Sequence, residues 1–462
     1  MVNRYIDLIA QTFDFPQEGF DVKKGQLYFN DIPLMDLVKK NGTPLRLSYL
    51  PKISDNINKA KNIFSKVFKE LNYPSKYHYS YCTKSSHFSF IVKKALENGV
   101  HLELSSAFDV DLALKLYDQK HITKDTYIIC NGFKREAYVT NIIKLLEQGF
   151  KNVIPIIDTK EELKEFTSNT NAKLNIGIRI ASEEEPDYEF YTSRLGINAK
   201  DIIPFYKEHI QANSNIKLNM LHFFISTGIK DDANYWSELN KTIDLYCQLK
   251  KLCPELNAIN IGGGFPIRNS LGFDYDYEYI VKEIVSQIQS KCNNKKVPCP
   301  DIFTEFGNYT VGESGALFFK VLRQKKQNDN ETWNMIDGSL MNSLPDTWGM
   351  NVRYILLPLN HWENEYERVN IGGLSCDGQD YYNSEVHLNQ LYLPKITNGE
   401  PLYVGFFHTG AYQEALGGFG GIKHCLIPDP KYVVIDKQNG KLTTKIFAEE
   451  QTANSMLNHL GY

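Results

Sequence analysis

Residues 76–105 read Lys76-Tyr-His-Tyr-Ser-Tyr-Cys-Thr-Lys84-Ser-Ser-His-Phe-Ser-Phe-Ile-Val-Lys-Lys-Ala-Leu-Glu-Asn98-Gly-Val-His101-Leu-Glu-Leu-Ser105. A β-rich run, Tyr77–Cys82, leads into a stretch with helical spacing, Phe88–Asn98, and then into a second β-run, His101–Ser105. Antiparallel neighbours need only a tight turn, whereas parallel ones need a crossover, usually a helix. The stretch therefore predicts two parallel strands joined by a helix.

The alternation continues along the chain. Further β-runs are Thr126–Cys130, Val153–Ile157, Leu174–Ile180, Leu218–Ile225, Ala258–Ile261 and Ile302–Phe306, with helical patterns at Thr140–Gln148 and Tyr235–Lys251. Eight such runs predict a parallel (β/α)8 barrel. An open, doubly wound sheet has the same alternation, and periodicity alone leaves it open. Beyond residue 319 the pattern changes. The runs Tyr354–Leu357, Val386–Leu393, Leu402–Phe407 and Tyr432–Asp436 are separated by turn formers with few long helices, predicting a largely antiparallel β-domain. Gln26–Pro33 reads as a hairpin that joins it. The expected division is an N-terminal segment 1–48 attached to the β-domain, a barrel over 49–318 and a C-terminal β-domain over 319–462.

A chain of 462 residues is long for one core. Its 42% hydrophobic and 23% charged residues are ordinary for a globular enzyme. A net charge of −4 offers no basic field for nucleic acid or an anionic membrane. No segment approaches the roughly 20 apolar residues of a membrane span, and Met1–Asp7 lacks the apolar core of a signal peptide. The eight cysteines show neither CxxC pairs nor nearby histidines, so no metal site or disulfide framework is expected. A reducing cytoplasm fits, with most thiols buried as small apolar groups.

In a parallel barrel, chemistry gathers at the carboxyl ends of the strands. There this sequence places Lys84, Glu103 to Asp109, Asn131-Gly132, Arg179, His222 to Thr227, Gly262-Gly263-Gly264, Glu305 and Gly307. A glycine run after a strand either cradles a phosphate with bare N–H groups or lets backbone cross backbone. A lysine in a partly desolvated mouth can form a Schiff base. Lysine, phosphate cradle and a carboxylate facing a pyridine nitrogen together are what pyridoxal phosphate (PLP) requires, and Glu305 suits the last role. Taken alone, Lys84 reads as a surface charge and Glu305 as a solvated strand-end acid.

Lys84 in Tyr-Cys-Thr-Lys, Gly262-Gly-Gly-Phe, Glu305-Phe-Gly, Cys376-Asp377 and Gly410-Ala-Tyr412 resemble the fold-type III PLP decarboxylases, over roughly residues 80–426. Cys130-Asn-Gly-Phe-Lys134, Ser343-Leu-Pro-Asp-Thr-Trp348 and His408–Gly417 are most similar to the biosynthetic arginine decarboxylases. The resemblance implies decarboxylation of arginine to agmatine for polyamine synthesis. Lys84 would carry PLP, Glu305 would pair with its ring nitrogen, and Gly262 to Gly264, Gly307 and Tyr412 would hold its phosphate. Glu103, Asp109 and Arg179 match positions that orient the lysine and ring. Cys376 would return a proton to the substrate carbon, and Asp377, Asp380 and Asp346 would meet a distal cationic group. In this family the Cys-Asp loop enters the partner subunit's barrel, which implies a homodimer.

The chain departs from the family pattern at His222-Phe-Phe-Ile-Ser-Thr227, where a second histidine is replaced by Phe224 and the phosphate-side serine by Thr227. Asn308 stands where an arginine follows Glu-x-Gly. The large arginine decarboxylases also carry extra helical segments for which this chain has no room. Ornithine, lysine, citrulline and diaminopimelate are alternative substrates, and a non-catalytic regulator on the same fold is a different class of reading. The Cys-Asp loop argues against a racemase, and its acidic residues argue against diaminopimelate.

Overall fold

The computed structural model describes residues 14–182, 193–329, 331–383, 391–396 and 399–462. These fold as two compact units, one formed by the described residues of Ile53–Pro266 with Tyr275–Thr310, the other by the described residues up to Lys52 with Ile267–Asp274 and those of Val311–Tyr462.

The first unit is a closed barrel of eight parallel strands: β1 Tyr77–Cys82, β2 His101–Leu104, β3 Ile128–Cys130, β4 Val153–Ile157, β5 Leu174–Arg179, β6 Ile216–His222, β7 Ala258–Asn260 and β8 Asp301–Phe306. Pairing of β8 with β1, Glu305 opposite Ser80, closes the ring and removes the open-sheet alternative. Ile129, Ile154, Ile156, Met220, Ala258 and Phe303 cluster as one buried apolar group, so the barrel is packed rather than a pore. Helices return along the outside, and several start where the sequence offers a side-chain oxygen. Ser106, Thr159 and Asp232 each accept the backbone N–H three residues on. The sixth strand stops at His222, three residues before the expected Ile225, because Phe223–Gly228 leaves the ladder to form a loop. The helix expected at Thr140 begins at Glu136.

The second unit is built on the long strand Gly315–Lys326, which pairs antiparallel with Leu45–Tyr49, Thr332–Ile336 and Tyr403–Phe407. Most of the sheet is antiparallel. Two pairings are parallel: Lys431–Gln438 with Leu45–Tyr49, and Asn370–Gly372 with Thr332–Ile336. The N-terminal segment thus supplies an interior strand, Leu45–Tyr49, as well as the small sheet Phe20–Lys23, Gln26–Phe29 and Ile32–Pro33. That interior strand has no clean alternation because Arg46 is buried in it, paired with Glu414 at 2.8 Å. Of the run expected at Val386–Leu393, residues 386–390 lie outside the described residues, while Tyr392–Pro394 pairs with Tyr366–Arg368.

Candidate active site

Lys84 sits in the single turn Thr83–Ser85 directly after β1, with its side chain 47% exposed. Its Nζ lies 3.3 Å from both carboxylate oxygens of Glu103, which is fully buried on β2. Glu103 also accepts from Cys82 Sγ at 2.6 Å, Ser105 Oγ at 3.0 Å and Asn131 Nδ2 at 3.0 Å. The same Asn131 nitrogen donates to Glu305 Oε2 at 2.9 Å, and Asn260 Nδ2 donates to Glu305 Oε1 at 2.6 Å. One amide therefore ties two buried carboxylates together at the ends of β2, β3 and β8.

This arrangement controls charge. Burial, followed by the Glu103 carboxylate, pushes the Glu305 carboxyl up to about 7, against the opposing pull of Lys84, Asn260 and Asn131. His222 Nε2 approaches Glu305 Oε2 at 3.8 Å. That imidazole does not supply a counter-charge, because burial and the nearby Arg179 and Lys84 cations drive its pKa well below the usual histidine range. Glu305 is a buried acid held one proton away from the ionised form that a cation would stabilise.

Other expected residues take supporting positions. Asp109 accepts from His87 at 2.8 Å and from the Ser105 N–H at 2.9 Å. Burial would raise its carboxyl, but those hydrogen bonds outweigh it and hold the acid below its ordinary value. The Arg179 guanidinium lies 5.8 Å from the Phe224 ring centroid, a cation–π contact. Thr227 lies in the loop after β6, which is stitched to the glycine loop after β7 by Ile229 N–H donating to Gly264 O at 2.9 Å.

The glycine run answers to packing. A Cβ on Gly263 would stand 2.3 Å from the Glu305 carbonyl oxygen, and one on Gly264, whose φ is +107°, 2.6 Å from Gly228 Cα. Backbone crosses backbone here, so only glycine fits. The Gly262 N–H is taken by Asn260 Oδ1 at 2.9 Å. At Gly307 a Cβ would press on Cys82 and Ser85 at 3.0 Å, and Asn308 is exposed at the start of the next turn.

The remaining expected residues belong to the second unit. Cys376 is exposed, and the Asp377 carboxylate accepts the Gln379 N–H at 2.8 Å. Asp380 is buried and accepts the N–H groups of Leu340, Met341 and Ser375 at 2.7, 3.2 and 3.0 Å. Its carboxylate is committed to holding this loop. Asp346 is also buried. Its Oδ2 accepts from the Tyr354 hydroxyl at 3.3 Å, while Oδ1 has no hydrogen-bond partner among the described residues. Burial raises its carboxyl against the hydrogen-bonding pull of Gln413 and Tyr354. Tyr412 is half-buried with a left-handed backbone, φ +69°, at the start of the short helix Gln413–Gly417.

Asn260 was missed from sequence, and Asn131 was noticed only as strand-end punctuation. The signal was available in both cases, since an asparagine at the end of an apolar β-run in a buried barrel needs partners.

Residues 54–312, more than half of the chain, match the family model described as the pyridoxal-binding domain of pyridoxal-dependent decarboxylases. The chain belongs to that family. It is thus a PLP-dependent amino-acid decarboxylase. It is 22% identical to a biosynthetic arginine decarboxylase of Prochlorococcus marinus, over 91% of this chain and 83% of that one. Among solved structures, the biosynthetic arginine decarboxylase of Campylobacter jejuni superposes with a TM-score of 0.81 at 22% identity, covering 96% of this chain and 89% of the other. Diaminopimelate decarboxylase from M. jannaschii gives 0.78 at 18%, covering 96% and 97%. At these identities the superpositions establish a shared fold.

The barrel-end residues fit the cofactor by the chemistry of their donor set. Two buried carboxylates are linked through Asn131, and the Lys84 amine meets the Glu103 one. A protonated ring nitrogen beside Glu305 would supply the positive charge that set lacks.

Proposed function

We propose that this decarboxylase converts L-arginine to agmatine, as a step toward polyamines. The observation that carries the reading is Asp346, a buried acid whose Oδ1 takes no hydrogen bond among the described residues, inside the segment Ser343–Trp348. A guanidinium offers paired N–H donors and a fixed charge, the complement of such an acid. The relatives named as biosynthetic arginine decarboxylases support the same substrate.

In this reading Lys84 holds PLP through its amine, and Glu103 keeps that amine oriented. Glu305 would pair with the ring nitrogen, with Asn131 and Asn260 fixing its carboxylate. Phe224 would offer its ring to the cofactor, and Asp109 and Arg179 would steady the surrounding turns. Gly262 to Gly264, Thr227, Gly307 and Asn308 would hold the phosphate, with Tyr412 assigned to it by the family resemblance. When bound, PLP supplies an electron-accepting ring that takes up the pair left as CO2 departs. Glu305 stabilises the positive charge on which that uptake depends. Cys376 delivers a proton to the substrate carbon. Asp346 and Asp377 receive the distal cation, and Asp380 positions the loop. By the family resemblance the working assembly is a homodimer sharing its sites.

A CO2-release screen across arginine, ornithine, lysine, citrulline and diaminopimelate tests the substrate. The highest kcat/KM is expected for arginine. A preference for neutral citrulline or for diaminopimelate would overturn the assignment. Failure to develop visible absorbance with PLP would favour the non-catalytic regulator.

A further inference from the structure

Of the eight cysteines, five are buried and Cys299 is partly so, while Cys376 and Cys425 are exposed. The two exposed thiols touch, with sulfur atoms 3.5 Å apart across 49 residues of chain. We propose that Cys376 and Cys425 form a reversible disulfide, an oxidative modification site for small peroxides.

A common post brings the thiols together. The short helix Leu340–Ser343 donates two backbone N–H groups to Asp380, which ends the Cys376 turn, and its Asn342 side chain donates to the His424 carbonyl at 3.0 Å. Asp380 also takes the Ser375 N–H at 3.0 Å, next to Cys376 itself. On the other side, Lys423 pairs with Asp429 at 3.2 Å and caps the Gly417 carbonyl. Cys425 has a left-handed backbone, φ +55°, as does Leu426, φ +52°. A non-glycine residue keeps that conformation only where its surroundings enforce it. Both thiols are thus held from outside their own turns. The sulfurs need to close from 3.5 Å to a bond of about 2.05 Å.

The chemistry balances. One thiolate attacks a peroxide oxygen, the O–O bond breaks, and the departing hydroxide is protonated to water, leaving a sulfenic acid. The second sulfur attacks the first, the S–O bond breaks, and a second water leaves. Two thiols lose two electrons and two protons, and one peroxide becomes two waters. A dithiol reductant reverses the bond by exchange. The consequence for activity rests on the role proposed above for Cys376, since a disulfide carries no proton to deliver. The pairing itself does not depend on that role.

The test uses the full chain with PLP bound, treated with stoichiometric hydrogen peroxide, alkylated and digested. A peptide linking Cys376 to Cys425 within one chain is expected, with two fewer thiols titrated under native conditions. Decarboxylation is expected to fall at least tenfold and to return with dithiothreitol. Cys425→Ser should keep basal activity, form no cross-link, and lose dithiothreitol-recoverable inhibition. Absence of the linked peptide in the wild type, or a link between two chains on a non-reducing gel, overturns the proposal. Formation of the link with unchanged activity supports the modification site and overturns the proton-donor role of Cys376.

Discussion

Replacing Glu305 by Gln should flatten the fall in stability of the cofactor-free protein with rising pH, although it removes an acid the site needs. The ordinary glutamate value is 4.5, and burial with the Glu103 charge raises Glu305 to about 7. An acid whose folded pKa is raised stays neutral in the fold while it ionises in the unfolded chain. Stability is therefore lost as pH climbs from the unfolded value, and the penalty is complete above the folded one. At about 1.4 kcal/mol per unit, the wild type carries a penalty of about 3 kcal/mol at pH 8 and under about 1 kcal/mol at pH 5. Glutamine does not ionise and escapes it. The substitution also turns one acceptor into a donor facing Asn131 or Asn260, which costs about 1–3 kcal/mol at every pH. The diagnostic is thus the slope. Urea denaturation of both apoproteins should show the Gln variant gaining about 2–3 kcal/mol on the wild type between pH 5 and pH 8. Saturating PLP should stabilise the wild type more than the Gln variant at pH 8, because a cationic ring nitrogen rewards only the carboxylate. A difference that is constant with pH would refute the raised carboxyl, and equal PLP stabilisation of both proteins would refute its pairing with the cofactor.

Lys84→Ala should abolish turnover and the visible absorbance that develops on adding PLP; survival of either removes Lys84 from the proposal. Asp346→Asn is expected to lower kcat/KM for arginine by about 10–100-fold, the worth of one hydrogen bond to a charge, and to affect citrulline far less. Equal losses would count against a cation-binding role. Asp380→Ala strips the acceptor from three backbone N–H groups; a cost of about 2–4 kcal/mol is expected in denaturation, with parallel activity losses on both substrates. Gly263→Ala puts a methyl 2.3 Å from the Glu305 carbonyl; it should destabilise the barrel by about 3 kcal/mol or more and weaken PLP binding. A near-neutral denaturation midpoint would show that the loop can move aside.

Much of the barrel was legible because each strand is a short apolar run ended by polar punctuation, and β1 and β4 carry the expected ends to the residue. Leu45–Tyr49 was not legible, since its buried Arg46 finds a partner, Glu414, 368 residues away. No local pattern announces a contact of that range. The same limit applied at the site. The chemical types at the strand ends were readable, but Glu103 and Glu305 share one amide donor through partners 28 and 174 residues from Asn131. The glycine run after β7 drew two readings, a phosphate cradle and a backbone crossing. Its contacts with Gly228 and Glu305 meet the second while leaving the first to experiment. These are linked consequences of one packing decision. The loop after β7 lies against the Glu305 backbone, and burial is the largest influence raising that residue's carboxyl. The crossing that demands glycine therefore also readies the acid for a cation, so a substitution that opens it should relax the Glu305 pKa and the cofactor's hold together.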